Sequence, residues 1–237
     1  VLEQIKKLGS VPSRSSYFGI VDLAGFKKDR FYLYQSRWRP ELPMAHLLPH
    51  WNWPERKGQK TPVHCYTSGD EAELFLNGKS LGRKKKGQYE YRLHWDDVVY
   101  QPGQLKVIAY KNGSKWAEDT VSTTGPAAKL VAEPDRAKIK ADGEDLCYIT
   151  VRVTDSAGRT VPRSSNLVKF AGKGPANLIA VDNGDPTSLQ SFQIKQIKAF
   201  NGMCLAIIQS RKNMPGAIAI QASASGLSPA VVRITAE

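Results

Sequence analysis

Two Asn-Gly pairs, Asn77-Gly78 and Asn112-Gly113, do most to limit what this 237-residue chain can become. Each lies between runs that alternate apolar and polar residues: "AELFL" and "KSLG" around the first, "GQLKVIAYK" and "SKWAEDTV" around the second. Asn and Gly accept the positive φ angles of a type I′ turn, so both read as tight β-hairpins. "PVHCYT" and "YEYRLHW" extend the alternation on either side. Residues 61–125 thus hold about six short strands, the content of a small immunoglobulin-like β-sandwich.

A Gly125-Pro126 break opens a third segment, 126–237. "LCYITVRVTDSAGRTVP" is a strand followed by a turn at Asp155–Gly158, and "LVKFAG", "ANLIAVDNG", "MCLAIIQS", "GAIAIQASASG" and "AVVRITAE" follow. Their β-branched content suits half-buried strands, and their spacing suits a second sandwich. The fold class is therefore mainly β: two consecutive immunoglobulin-like sandwiches, 61–125 and 126–237, behind a different first segment, 1–60.

That first segment is aromatic and punctuated by proline. "KKDRFYLYQSRW" reads as a short helix with Phe31, Tyr34 and Trp38 on one face, spaced i, i+3, i+7. Asp29 suits the positive end of the helix dipole, and Pro40 and Pro43 stop the helix. A helix of ~10 residues is marginal alone in water and needs a surface. In "HLLPHWNWPERKGQ", Pro49 and Pro54 exclude a regular helix. Trp51 and Trp53 alternate there; they read first as a wedge at a domain joint, and otherwise as a platform for stacking a sugar ring.

Charge and cysteines narrow the classes further. Lys and Arg number 34 against 22 Asp and Glu, a net +12. Such a balance favours anionic partners in general. The densest cluster, "GRKKKG" at Gly82–Gly87, lacks interleaved aromatics and reads as a solvated loop, so no specific nucleic acid is expected. No apolar run approaches the ~18 residues that span a bilayer, and "VLEQIKKLGS" has no apolar core of a signal peptide. Membrane insertion is not expected. The chain does not begin with Met, which suits processing or excision from something longer. Cys65, Cys147 and Cys204 form no CxxC, so buried thiols are the default, with a Cys147–Cys204 bridge left open.

No constellation for catalysis or metal binding emerges, and no metal or cofactor is expected. His46 and His50 are four apart, but Pro49 spoils a helical pair and no third ligand is spaced to help. "DNGDPTS" at Asp182–Ser188 is oxygen-rich but lacks the EF-hand spacing, so it reads as a turn. Asp96-Asp97 would point to opposite faces of a strand, and Glu71 and Glu73 precede an exposed hairpin.

The run from "SRSSYFGIVDLAGFKKDRFYLYQSRW" through "LLPHWNWP" to "AELFLNGKSLG" resembles the C-terminal part of bacterial glycoside hydrolase family 2 enzymes, of the β-galactosidase type found in Bacteroides-like bacteria. The resemblance extends over 13–237 and is looser in the final sandwich. It implies that 1–60 is the last helix and connector of a (β/α)8 barrel whose two catalytic glutamates lie upstream. The partners it implies are that parent barrel, β-galactosides or polysaccharide-derived sugars reached through the whole enzyme, and oligomer contacts. It also implies a periplasmic or cell-envelope location, and it places Arg14, Ser16 and Tyr17 near the barrel mouth. Related β-glucuronidases carry Asn-x-Lys before the glycine that matches Gly19, and those residues read a sugar carboxylate. Here Ser16 and Phe18 stand in their places, which implies a neutral sugar. A carbohydrate-binding module within the sandwiches is the alternative, motivated by Trp51, Trp53, Tyr89 and Tyr91. Without its barrel, the helix is expected to be disordered, to repack its aromatic face on a sandwich, or to pair with another copy.

Overall fold

The computed structural model describes residues 18–237. They form two compact units, one of Lys27–Thr123 and one of Thr124–Glu237 together with the described residues up to Phe26.

The Lys27–Thr123 unit starts with helix α1 (Asp29–Trp38) and strand β1 (Ala45–Leu48). Six strands follow: β2 (Val63–Thr67), β3 (Glu71–Leu76), β4 (Lys79–Lys85), β5 (Leu93–Trp95), β6 (Gln104–Lys111) and β7 (Ser114–Ser122). They build a three-stranded sheet, β1-β2-β5, and a four-stranded sheet, β4-β3-β6-β7. Both hairpins form at the Asn-Gly pairs, with φ of 50° and 82° at Asn77 and Gly78 and 51° and 80° at Asn112 and Gly113. Alternation decides which side chains face inward: Ala72, Leu74 and Leu76 from β3, and Leu105, Val107 and Ala109 from β6. Burying such side chains contributes about 1.5–3 kcal/mol each for the larger ones.

Two features differ from the sequence reading. "GRKKKG" is not a loop after the hairpin. Arg83, Lys84 and Lys85 continue β4, paired with Glu73, Ala72 and Glu71 across a bulge between Glu73 and Phe75. A strand of this kind at a sheet edge stays soluble because its cations discourage further strand pairing. The connector is likewise integral to this unit. β1 pairs with β2 from Ala45↔Thr67 to Leu48↔His64, and Trp51 lies in the same core as Leu74 and Val107.

The other unit holds β8 (Lys129–Pro134), β9 (Lys138–Ile139), β10 (Leu146–Thr154), β11 (Leu167–Lys173), β12 (Ala176–Asp182), β13 (Gln196–Lys198), β14 (Met203–Ser210), β15 (Gly216–Ser223) and β16 (Ala230–Ala236). Its sheets are β12-β14-β10-β8 and β13-β11-β15-β16-β9. Ile149, Val151 and Ile208 of the first sheet share one core with Phe170, Ile218 and Ile234 of the second, so the two make a sandwich. Every ladder is antiparallel except β16 with β9. The mainly β, sandwich-based architecture read from the sequence is the architecture present.

Asp155 pins the start of this unit. Its buried carboxylate accepts hydrogen bonds from the backbone N–H of Gly125 (3.0 Å) and of Arg159 (2.9 Å), and Arg159 Nη2 lies 2.7 Å away. Burial alone would raise the pKa, but these donors and the guanidinium outweigh it and hold the carboxyl at about 2. The three cysteines are free and buried. Cys204 pairs across the ladder with Val151, four residues from Cys147, so the two residues are offset by about 13 Å along the strand direction and form no bridge.

Candidate functional site

Helix α1 is where the structure departs most from an isolated sandwich. Asp29 sits in its first turn and Arg37 in its last, each favourable to the helix dipole. The helix is too short to persist alone, and it docks on β1 and β2. The docked face is Tyr32 and Ser36, one turn apart. The Tyr32 ring stacks on His46 of β1 with centroids 3.9 Å apart. The Nε2 of His46 lies 2.8 Å from Asp29 Oδ1. Ser36 is buried and its hydroxyl donates to the Leu33 carbonyl at 2.7 Å.

The face singled out in the sequence points the other way. Phe31 is half-buried with Lys27 Nζ over its ring at 4.6 Å, Tyr34 and Trp38 pack on each other at 4.9 Å, and Trp38 is 71% exposed. The helix is thus ordered without repacking its aromatic face on the sandwich. Periodicity found the aromatic stripe but not the docking face, because a buried Ser beside a single Tyr gives no apolar signal.

The predicted site residues fare differently. Arg14, Ser16 and Tyr17 lie outside the described residues. Phe18 is described and 63% exposed. Trp51 is fully buried, its Nε1 donating to the Gln101 carbonyl at 2.9 Å and its ring against Tyr100 at 4.8 Å. No ring face remains for a sugar, and Trp51 fills the sandwich's own core rather than a joint. Trp53 stacks on His50 at 4.3 Å and donates Nε1–H to the His50 carbonyl. The structure does not bring these tryptophans together as a platform.

Tyr89 and Tyr91, by contrast, are exposed and line one pocket of about 320 Å³ with His64, Arg92, His94 and Asp96. Arg92 lies over the Tyr91 ring at 5.3 Å, and His94 Nδ1 lies 2.9 Å from Asp96 Oδ2. His64 Nδ1 is enclosed without a hydrogen-bond partner, and burial, then the nearby Arg92, lowers the pKa of its ring. A larger cleft of about 670 Å³ is lined by Arg37, Lys86, Lys111, Asp70 and Glu90 among others. Lys86 donates to the Thr67 carbonyl there at 2.8 Å, and burial followed by Arg37 lowers its pKa.

The acidic pairs noted in the sequence are each engaged elsewhere. Asp97 is 2.5 Å from Lys60, whose ammonium holds the carboxyl below the usual range. Asp96 meets His94, Glu71 meets Arg83 at 2.6 Å, and Glu73 accepts from Ser80. A retaining glycosidase needs two carboxyls ~5 Å apart, one of them kept protonated. These four carboxyls do not make such a pair. Among the described residues, no group of three or more His, Cys, Asp or Glu could hold a metal.

Residues 130–233 match the family model described as "Glycoside hydrolase family 2 C-terminal domain 5", and residues 58–117 match "Domain of unknown function (DUF4982)". The chain is 46% identical over 227 residues to a Bacteroides ovatus protein named Beta-galactosidase BoGH2A, covering 95% of this chain and 26% of that one. It is 39% identical over 183 residues to a putative beta-glucuronidase of Formosa agariphila, covering 75% of this chain and 17% of the other. Among solved structures, a beta-glycosidase from Bacteroides vulgatus superposes with a TM-score of 0.89 at 33% identity, over 94% of this chain and 28% of that one. The chain therefore spans about a quarter or less of the length of these curated relatives. The chain belongs to glycoside hydrolase family 2 and corresponds to the C-terminal region of its members.

Proposed function

We propose that the chain is the non-catalytic accessory region of a retaining β-galactosidase and that it braces a catalytic barrel through the outward face of α1. The observation that carries this reading is Trp38. A helix whose opposite face is already docked holds a large indole in water beside Tyr34. Such a surface is costly unless another body covers it. The barrel would supply both carboxylates of the retaining mechanism, one as nucleophile and one as acid/base. The 46% identity to a protein named a beta-galactosidase and the apolar Phe18 both support a neutral sugar. A lysine would be needed there to pair a sugar carboxylate. A periplasmic or cell-envelope location belongs to the same reading.

The test is the reading frame ahead of Val1 and the protein it encodes. The reading expects a barrel with two glutamates, β-galactosidase activity well above β-glucuronidase activity, and a lower melting temperature on Trp38→Ala. A reading frame without a barrel, or a preference for glucuronides, would overturn it. A second reading, sugar binding by the sandwiches, draws on the exposed Tyr89 and Tyr91 around one pocket. Titration with galacto-oligosaccharides should then perturb Tyr89→Ala protein less than the parent chain.

A further inference from the structure

The sheet β13-β11-β15-β16-β9 has a mostly cationic outer face. None of its five strands contains an Asp or Glu. Alternation sends Val168, Phe170, Ile197, Ile218, Ile220, Val232 and Ile234 to the core, and it sends Lys169, Lys173, Lys198 and Arg233 outward, all four exposed. None of the four has a carboxylate within ion-pairing distance among the described residues. Lys138 of β9, also exposed, is paired with Glu237 at 2.8 Å.

Register fixes how these cations are laid out. Lys173 pairs with Ala219 and Ala219 with Arg233, so the two cations stand in one row across three strands, about 10 Å apart at the usual strand spacing. Lys169 is four residues from Lys173 on β11, about 13 Å along the strand. Lys198 pairs with Leu167 on the neighbouring strand, beyond Lys169. Between them stand Ala171, Ala219, Gln221 and Ser223, short or neutral side chains that leave the cations clear. The array is too wide for one small anion. It suits a polymer that presents a charge at regular intervals.

We propose that this face binds an acidic polysaccharide, one bearing uronate or sulfate groups along its backbone. The choice of a saccharide over other polyanions rests on the glycosidase reading above: a barrel acting on neutral galactosides would be held to a charged backbone carrying them. The outward positions of these strands include no aromatic side chain, so nothing there stacks the bases of single-stranded nucleic acid. Only Leu167 and Val231 are large, exposed and apolar on these strands, too little to insert into a lipid surface. A second copy would bring like charges together.

The experiment is binding of the full chain to polygalacturonate, with neutral galactan, duplex DNA and anionic phospholipid vesicles as the other arms. Polygalacturonate should bind and galactan should not. Counterion release of about 0.7–0.9 per contact would give a slope of roughly −3 in log affinity against log salt for four contacts. The variant K169Q/K173Q/K198Q/R233Q should lose about tenfold or more in affinity, in keeping with that salt slope. The control variant K57Q/K79Q/K84Q/K85Q removes the same charge from the Lys27–Thr123 unit and should lose far less. Melting curves of both variants establish that they fold, and the single substitution K173Q gives a milder check. Equal losses in the two quadruple variants would mean that net charge alone acts, and would overturn the proposal. Tighter binding to DNA or vesicles than to polygalacturonate would also overturn it. Failure of the β-galactosidase assay with intact polygalacturonate binding would sink the glycosidase reading alone.

Discussion

The Tyr32 ring lies flat on the His46 ring, 15° from parallel, and this contact orients helix α1. It commits Tyr32 and Ser36 to the sandwich and leaves Tyr34 and Trp38 outward. The two faces of the helix should therefore respond differently to mutation. Tyr32→Ala removes a stacked pair and half-buried aromatic area, and should destabilise the Lys27–Thr123 unit by roughly 1–2 kcal/mol. Trp38→Ala should leave this chain within about 0.5 kcal/mol of the parent, because an exposed side chain contributes little to folding. Urea unfolding of both variants followed by tryptophan fluorescence makes the comparison. Equal losses would mean that the helix does not dock through Tyr32.

Trp51 is a core residue of the sandwich, so its loss should be felt as a cavity. Trp51→Ala should cost about 3–5 kcal/mol, the range for a large aromatic deleted from a core. The partners left behind add to this, since the Gln101 carbonyl loses its donor. All five tryptophans lie within Lys27–Thr123, so the remaining four report this unit selectively. A loss below about 1 kcal/mol would place Trp51 at a surface instead.

Asp155 gives the other unit a pH dependence with a definite sign. Its folded pKa of about 2 is below the ~3.9 of an unfolded Asp, so its contribution is complete above that unfolded value and fades as pH falls toward 2. The difference corresponds to about 2 kcal/mol. Asp155→Asn should remove most of this dependence. Circular dichroism followed through urea unfolding at a series of pH values measures it in a unit that has no tryptophan. A variant with the parent's pH profile would contradict this assignment.

The thiols should be inert in the native protein. Burial pushes Cys65 and Cys204 up to about 12 and Cys147 up to about 11, so little thiolate exists near neutral pH. An aromatic disulfide reagent should label none of them rapidly until urea unfolds the chain, and then all three. Rapid native labelling of one cysteine would mean that its strand opens locally.

Much of the fold was legible because the signals were local. Asn77-Gly78 and Asn112-Gly113 each specify a turn from two residues, and period-two alternation then assigns inside and outside to β3 and β6. What was not legible depended on register between distant residues. β1 joins β2 across the 14 residues between Leu48 and Val63, which is why the connector's membership in the sandwich could not be read from its prolines and tryptophans. The cations of the outer sheet are spread over β11, β13 and β16 and form no dense run of the kind seen at Arg83–Lys86. At α1 the periodicity marked the helix and its stripe of Phe31, Tyr34 and Trp38. It could not say which face the sandwich holds, because Tyr32 and Ser36 carry little apolar weight between them.

The proposal that this chain braces a barrel holding the catalytic carboxylates is open to a direct test. The most direct measurement is hydrolysis of a chromogenic β-galactoside by the purified 237-residue chain, beside the protein encoded when the reading frame is extended to include a barrel. The account predicts no turnover above buffer from the chain alone and robust turnover from the extended protein. Saturable hydrolysis by the chain alone would contradict it.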